Sequence, residues 1–225
     1  SVSKIKATVF SQEQLASDVF SMWLEVGSIA SEAKPGQFIS VYSNDDSKLL
    51  PRPISICEID REKGRLRIVY RVVGYGTKEF SGCKAGDTLE IMGPLGNGYT
   101  LKKDKAILVA GGIGVPPMLE LAKELDCEKT IVLGYRDELF LNKEFEQYGK
   151  VVIATEDGSC GTKGNVLDAI RAEGVDGQVI YSCGPTPMLR ALKQYAADKG
   201  IEAWISLEEK MACGIGACLA CVCKS

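Results

Sequence analysis

The chain has 225 residues, of which 45% are hydrophobic and 25% charged, and a formal net charge of -3. That length exceeds one typical core and predicts two ordinary globular domains, and no apolar run approaches the roughly eighteen residues a membrane span needs. The interspersed charges offer no basic footprint for nucleic acid or anionic lipid. There is no histidine, which excludes Ser/His and Cys/His catalysis, His-ligated zinc or iron and Rieske-type ligation, and leaves the chemistry to a cofactor, carboxylates or thiols.

The opening S-V-S-K-I-K-A-T-V-F lacks an apolar segment followed by a small-residue cleavage site, so we expect no signal peptide and a cytoplasmic protein. From Lys4 to about Ile91 the texture is strand and turn. In R-L-R-I-V-Y-R-V-V (65–73), Leu66, Ile68, Tyr70 and Val72 share a face that packs, while Arg65, Arg67, Val69 and Arg71 share one that offers cations. Similar runs at 38–42, 54–59 and 88–92 are separated by the turn sequences K-P-G-Q, D-R-E-K-G and K-A-G-D. Closely spaced antiparallel strands without long helices predict a small β-barrel over 1–98. The Gly/Pro-rich G-P-L-G-N-G-Y (93–99) is the candidate boundary.

Beyond it the period changes. K-A-I-L-V-A (105–110) reads as a buried parallel strand running into G-G-I-G-V-P-P and the helical M-L-E-L-A-K-E-L. Strands at 130–133, 151–154, 178–182 and 202–206 then alternate with helices at 142–148, 165–173 and 186–199. Repeated units of this kind predict a doubly wound parallel-sheet α/β domain over 99–207.

Three strand ends of that domain are rich in glycine or polar residues. In A-G-G-I-G-V-P-P, Gly111, Gly112 and Gly114 permit positive φ and bring backbone amides close to a pyrophosphate. The spacing is not the usual dinucleotide fingerprint, and a plain tight turn is the alternative. G-Y-R-D places Gly134, Arg136 and Asp137 near an adenosine ribose; Arg136 suits a 2′-phosphate and Asp137 a free hydroxyl, so NAD and NADP both stay open. C-G-P-T-P-M sets the Cys183 thiol and the bare backbone of Gly184 and Pro185, with Met188 beyond, where a flat ring lies. In the barrel, Arg52, Pro53, Ile54 and Ser55, then Val69, Tyr70 and Arg71, then Gly76 and Thr77 combine a guanidinium for phosphate, an aromatic ring for stacking and a helix opening for pyrophosphate.

The nine cysteines fall into two groups. Cys57, Cys83, Cys127, Cys160 and Cys183 are scattered, all but Cys183 read as reduced thiols in or near the core, and the odd total argues against a complete disulfide framework. The segment C-G-I-G-A-C-L-A-C-V-C carries C-x4-C-x2-C at Cys213, Cys218 and Cys221, the opening of plant-type 2Fe-2S ligation, in which a Gly-rich loop wraps the cluster and a fourth cysteine comes from farther along. Structural zinc competes, but such sites usually pair two cysteine knuckles.

R-P-I-S, Y-R-V-V-G-Y-G-T, G-P-L-G-N-G, A-G-G-I-G-V-P-P, C-G-P-T-P-M and the cysteine segment, in this order, resemble the ferredoxin-NADP reductase superfamily. More narrowly they resemble the electron-transfer subunits of bacterial class 1B dihydroorotate dehydrogenases. The resemblance implies FAD on Arg52, Pro53, Ile54, Ser55, Val69, Tyr70, Arg71, Gly76 and Thr77, and a nicotinamide dinucleotide over 111–114 with Cys183, Gly184 and Pro185 near the nicotinamide; it tips the choice to NAD. It also implies a 2Fe-2S cluster on Cys213, Cys218 and Cys221 within a segment spanning 208–225. NADH oxidation would feed single electrons to the FMN of a catalytic partner in pyrimidine biosynthesis, as a heterotetramer. The same architecture serves small subunits of NAD(P)H-dependent ferredoxin reductase or sulfide dehydrogenase complexes, and a zinc-binding interaction module is the reading of another class. In the family the fourth cluster cysteine lies farther beyond the third than residue 225 allows. We expect C-V-C to turn Cys221 and Cys223 to opposite sides, making Cys223 a poor fourth ligand, and so expect that cysteine in a tail past residue 225.

Overall fold

Six strands, β1 (Ser3–Ala16), β2 (Val19–Glu25), β3 (Phe38–Val41), β4 (Arg52–Asp60), β5 (Arg65–Arg71) and β6 (Thr88–Leu95), close into an antiparallel barrel in the order β1-β2-β5-β4-β3-β6. The computed structural model describes residues 1–44, 50–207 and the strand at 221–223. Closure depends on β1, whose residues 3–8 pair with β6 and whose residues 8–16 pair with β2. Register shifts between Val9 and Ser11 and between Gln14 and Ala16 bend the strand from one partner toward the other, as bulges do. Inward positions alternate along each strand to give a core that includes Met22, Leu24, Ile39, Ile56, Leu66, Ile68, Leu89 and Ile91. Among the described residues this unit also has two short helices, α1 (Ile29–Glu32) and α2 (Tyr75–Ser81), and Phe80 of α2 is buried edge-on to Tyr70 at 6.3 Å.

The outer face of β5 does not offer its cations freely, which corrects the expectation from the alternation. Arg65 Nε donates to Glu25 Oε1 at 3.0 Å, and its guanidinium lies over the Phe10 ring. Arg67, only 6% exposed, donates to Glu58 Oε2 at 3.0 Å and to Ser21 Oγ at 2.8 Å. Neighbouring strands β2 and β4 supply these partners, and a cation this buried persists only when paired and hydrogen-bonded.

The second compact unit begins at Tyr99. Its strands are β7 (Ala106–Gly111), β8 (Lys129–Tyr135), β9 (Lys150–Thr155), β10 (Thr162–Lys163), β11 (Val179–Gly184), β12 (Glu202–Leu207) and β13 (Cys221–Cys223). They form one sheet in the order β10-β9-β8-β7-β11-β12-β13, parallel except for β13. Helices α3 (Met118–Glu124), α4 (Asn142–Phe145), α5 (Val166–Ala172) and α6 (Thr186–Lys199) connect the strands. One core joins Ile107, Val109, Val132, Ile180, Ala203 and Ile205 of the sheet to α5 and α6. Because strand side chains alternate, Leu108, Ala110, Leu133, Tyr181 and Cys183 face the other way. The order reverses direction between β7 and β11, the switch point at whose carboxyl ends open α/β sheets bind ligands.

Strand β13 was not expected. It pairs antiparallel with β12, placing Cys221 opposite Ile205 and Cys223 opposite Ala203. Strand periodicity is two, so positions 221 and 223 fall on one face of β13. The expectation that C-V-C would send them to opposite sides is therefore corrected.

Candidate cofactor and nucleotide sites

In the barrel unit, the antiparallel pairing of β4 with β5, anchored at Ile56 opposite Ile68, places 52–55 and 69–71 at the same end of the two strands. The start of α2 joins them: a methyl group on Gly76 would stand 3.6 Å from Arg52 Cγ, so the Arg52 stem lies along the helix opening. That opening is shaped by Thr77, whose hydroxyl oxygen accepts the N–H of Val73 at 2.9 Å and of Gly74 at 3.1 Å. Thr77 is buried, so its hydroxyl builds the turn and leaves the backbone around Gly76 as the part open to a ligand. Glu79 of α2 accepts the Ser43 hydroxyl and the Asn44 N–H, tying the exit of β3 to the same helix.

Arg71 carries the clearest sign of a missing anion. Its Nε lies 3.2 Å from Asp18 Oδ2 but without hydrogen-bond alignment, so this buried N–H has no acceptor among the described residues. A buried donor left unmade costs on the order of 1–3 kcal/mol, and a phosphate oxygen is a fitting partner for a guanidinium. Tyr70 does not fill the stacking role expected of it. Its ring is 3% exposed, stacked on Phe20 at 6.1 Å with Phe80 edge-on, and its hydroxyl donates to Gln12 Oε1 at 2.6 Å. Burial, the largest cause, pushes that hydroxyl well above the ordinary tyrosine range, so it stays neutral and donating. The ring belongs to the core, and what Tyr70 presents is backbone. Ile54 and Val69 are likewise buried, while Pro53 and Ser55 are half-buried. Exposed apolar side chains at Leu50, Val73 and Tyr75 flank these elements in sequence, and the motif reading passed over them.

In the sheet unit the glycines are fixed by close packing. At the end of β7 a 3-10 turn (Gly112–Gly114) takes φ of +57° at Gly112, the only one of Gly111, Gly112 and Gly114 in the left-handed region. Gly114 lies against the end of β11: a Cβ there would overlap the Cys183 carbonyl and stand 2.8 Å from the Gly184 nitrogen. At Gly111 it would stand 2.8 Å from Met188 Sδ, and at Gly184 it would overlap Met188 Cε. The structure thus gathers Gly111, Gly114, Cys183, Gly184 and Met188 across the switch point, with Pro185 exposed at the head of α6. Gly134 is explained by packing, since a Cβ there would meet Val166 Cγ1 at 2.8 Å. Arg136, just past β8, is exposed with its Nε 4.0 Å from Glu156 Oε2.

Cys183 is fully buried, so its contribution at the strand end is packing and backbone. Tyr99 donates to the Ser182 carbonyl at 3.0 Å and packs edge-on to Tyr181; burial first, then the Cys183 thiol, hold its hydroxyl well above the ordinary range. Burial, reinforced by Asp87 and Glu79, also raises the Cys83 thiol, and burial raises that of Cys127. These thiols are poor nucleophiles, in keeping with free structural cysteines. Cys213 and Cys218 lie outside the described residues, as do 208–212, and Cys221 is described only as part of β13.

Comparison with known proteins resolves what this pairing of units belongs to. Residues 6–99 match the oxidoreductase FAD-binding domain, and 208–225 match the iron-sulfur cluster binding domain of dihydroorotate dehydrogenase B. The dihydroorotate dehydrogenase B (NAD(+)) electron transfer subunit of Fusobacterium nucleatum is 44% identical over 96% of this chain and 88% of its own length. The chain belongs to this family of electron transfer subunits. The Bacillus caldolyticus member is 41% identical, over 99% of this chain and 90% of its own. Among solved structures, the NADH-dependent reduced ferredoxin-NADP oxidoreductase has a chain with TM-score 0.81 and 32% identity, covering 89% of this one and 75% of that one. A flavohemoglobin from Malassezia yamatoensis shares the fold at TM-score 0.74 and 23% identity, over 91% of this chain and 60% of that one. The β-barrel and parallel-sheet fold expected from the sequence is the fold these proteins share.

Proposed function

We propose that this chain is the electron-transfer subunit of a dihydroorotate dehydrogenase of pyrimidine biosynthesis, carrying electrons singly between the FMN of its catalytic subunit and a nicotinamide dinucleotide, with NADH oxidation feeding the FMN in one direction. The relatives' names give NAD(+) as the nucleotide of a dehydrogenase, so the same path runs toward NAD(+) when dihydroorotate is oxidised. The observation that carries this reading is 44% identity over 96% of the chain to a named subunit of that enzyme.

The barrel unit, 1–98, is the FAD domain in this reading. Arg52 and Arg71 meet the phosphates, the backbone of 53–55, 69 and 70 lines the flavin, and the Gly76 and Thr77 turn presents amides. The unit from 99 to 207 holds the nicotinamide dinucleotide across the switch point, where Gly111, Gly112 and Gly114 admit its backbone and Gly184, Pro185 and Met188 border the ring. Cys213, Cys218 and Cys221 hold the 2Fe-2S cluster within 208–225. Bound FAD converts two-electron hydride transfer to one-electron steps and the cluster supplies the one-electron exit, while the protein provides position and electrostatics. The assembly is a cytoplasmic heterotetramer with an FMN-containing catalytic partner. Among the described residues no helix is long and apolar enough to cross a membrane.

A visible spectrum of the subunit co-expressed with its partner tests the reading. Flavin and iron-sulfur absorbance that bleaches with NADH is expected, and a loaded protein without flavin or without bleaching overturns it. The 32% identity to an NADH-dependent ferredoxin-NADP oxidoreductase chain favours a second reading, the small subunit of such a complex. Pull-down separates the two: an FMN-containing barrel enzyme supports the first, and a large flavoprotein with 4Fe-4S centres the second.

A further inference from the structure

An arginine at the end of the second strand of a nucleotide-binding sheet is the residue that accommodates the 2′-phosphate of NADP, and a carboxylate there favours the free ribose of NAD. Arg136 holds that position, just beyond β8, but a carboxylate stands beside it. The carboxylate comes from the neighbouring strand end: Glu156 follows β9, and its Oε2 lies 4.0 Å from Arg136 Nε. The backbone fixes this meeting. The Glu156 N–H donates to the carbonyls of Tyr135 and Arg136, both at 3.1 Å, and the Asp157 N–H lies 3.4 Å from the Arg136 carbonyl. Asp157 adds a second held charge, its carboxylate accepting the Ser159 N–H at 3.0 Å and the Ser159 hydroxyl at 2.7 Å.

We infer that Glu156 is a specificity-determining residue: by adding negative potential beside Arg136, Glu156 biases this strand end toward a ribose with a free 2′-hydroxyl and against a 2′-phosphate. This rests on the reading that a nicotinamide dinucleotide lies over the switch point. A 2′-phosphate is nearly dianionic and is repelled by Glu156, whereas ribose hydroxyls donate to carboxylates. Both side chains are exposed, 86% for Arg136 and 71% for Glu156, so solvent screening keeps the effect to about two- to fivefold.

The test uses the FAD-loaded subunit in complex with its catalytic partner, with NAD(+) and NADP(+) as calorimetric probes and NADH and NADPH as reductants. Glu156→Gln raises the ratio of NADP(+) to NAD(+) affinity about two- to fivefold, Glu156→Lys raises it further, and adding Arg136→Gln to Glu156→Gln reduces the gain. An unchanged ratio in both single variants overturns the inference. If wild-type flavin bleaches with NADH while the ratios stay fixed, only the inference falls. If the ratios shift but NADH leaves the wild-type flavin oxidised, the function assigned above falls and the specificity role stands.

Discussion

The two units build their candidate sites from opposite materials. The barrel gathers charged side chains at strand ends, where Arg71 keeps a buried N–H without an acceptor among the described residues and Arg52 lies along the opening of α2. The sheet gathers glycines whose missing side chains let one strand end lie against another, as Gly114 does against Cys183. Substitution therefore acts through different terms in the two places. In the barrel, with FAD placed as proposed, it would remove a charge-assisted hydrogen bond to the ligand and leave the fold intact; in the sheet it wedges two backbone segments apart before any ligand arrives.

The sharpest way to break this contrast is Gly114→Val. Its Cβ has backbone rather than a flexible side chain to displace, so we expect a loss of about 3 kcal/mol or more, read as a drop of several degrees in the thermal midpoint of the apo-protein. An unshifted midpoint would remove the packing account. Next comes Arg71→Ala, expected to weaken FAD binding roughly 10- to 100-fold, the equivalent of one charged hydrogen bond, with a smaller change in apo stability. Equal losses in both would make Arg71 structural.

Tyr181→Phe should cost about 1–2 kcal/mol, because the Tyr181 hydroxyl donates to the Thr100 carbonyl at 2.7 Å and accepts the Lys102 N–H at 3.0 Å. It carries a pH signature as well. Burial, the largest cause, pushes the Tyr181 hydroxyl from the ordinary 10.0 up to about 12. A raised folded-state value means the stabilisation is fully present below about pH 10 and declines as pH rises through about 12, because the unfolded chain loses its proton first. Denaturant midpoints across that window should fall less steeply in the variant. The smallest effect is Tyr70→Phe, about 1 kcal/mol for the lost bond to Gln12, with no shift in the absorbance of bound FAD. A clear spectral shift would return the ring to the flavin.

How far the sequence reveals these features depends on whether the cause is local. Helix α6 is legible because its signals lie in the chain itself: Pro185 and Pro187 at its start, and Gly200 at φ +68° just past its end. Tyr70 is instructive because two sequence signals disagreed. Alternation put it on the packing face, where the structure has it, whereas the motif suggested a stacking ring; periodicity, which reports burial, was the better guide. The partners that silence the cations were not legible, since Glu58 and Ser21 reach Arg67 only after neighbouring strands pair. Glu156 escaped notice for the same reason, coming to Arg136 across the β8–β9 pairing. Glycine-rich turns were visible as turns, but their purpose was not, because a clash with Cys183 or Met188 belongs to the folded state.

The pairing of β13 with β12 links the cysteine-rich C-terminal segment to solubility. Cys221–Cys223 supply the hydrogen-bonding neighbour of Ala203–Ile205 in a strand that would otherwise stand at the rim of the sheet. An uncovered strand of this kind presents a row of free amides and carbonyls to which another molecule can add. A chain cut short before residue 221 would carry that open border. Its first symptom should be self-association during expression, ahead of any measured loss of electron transfer.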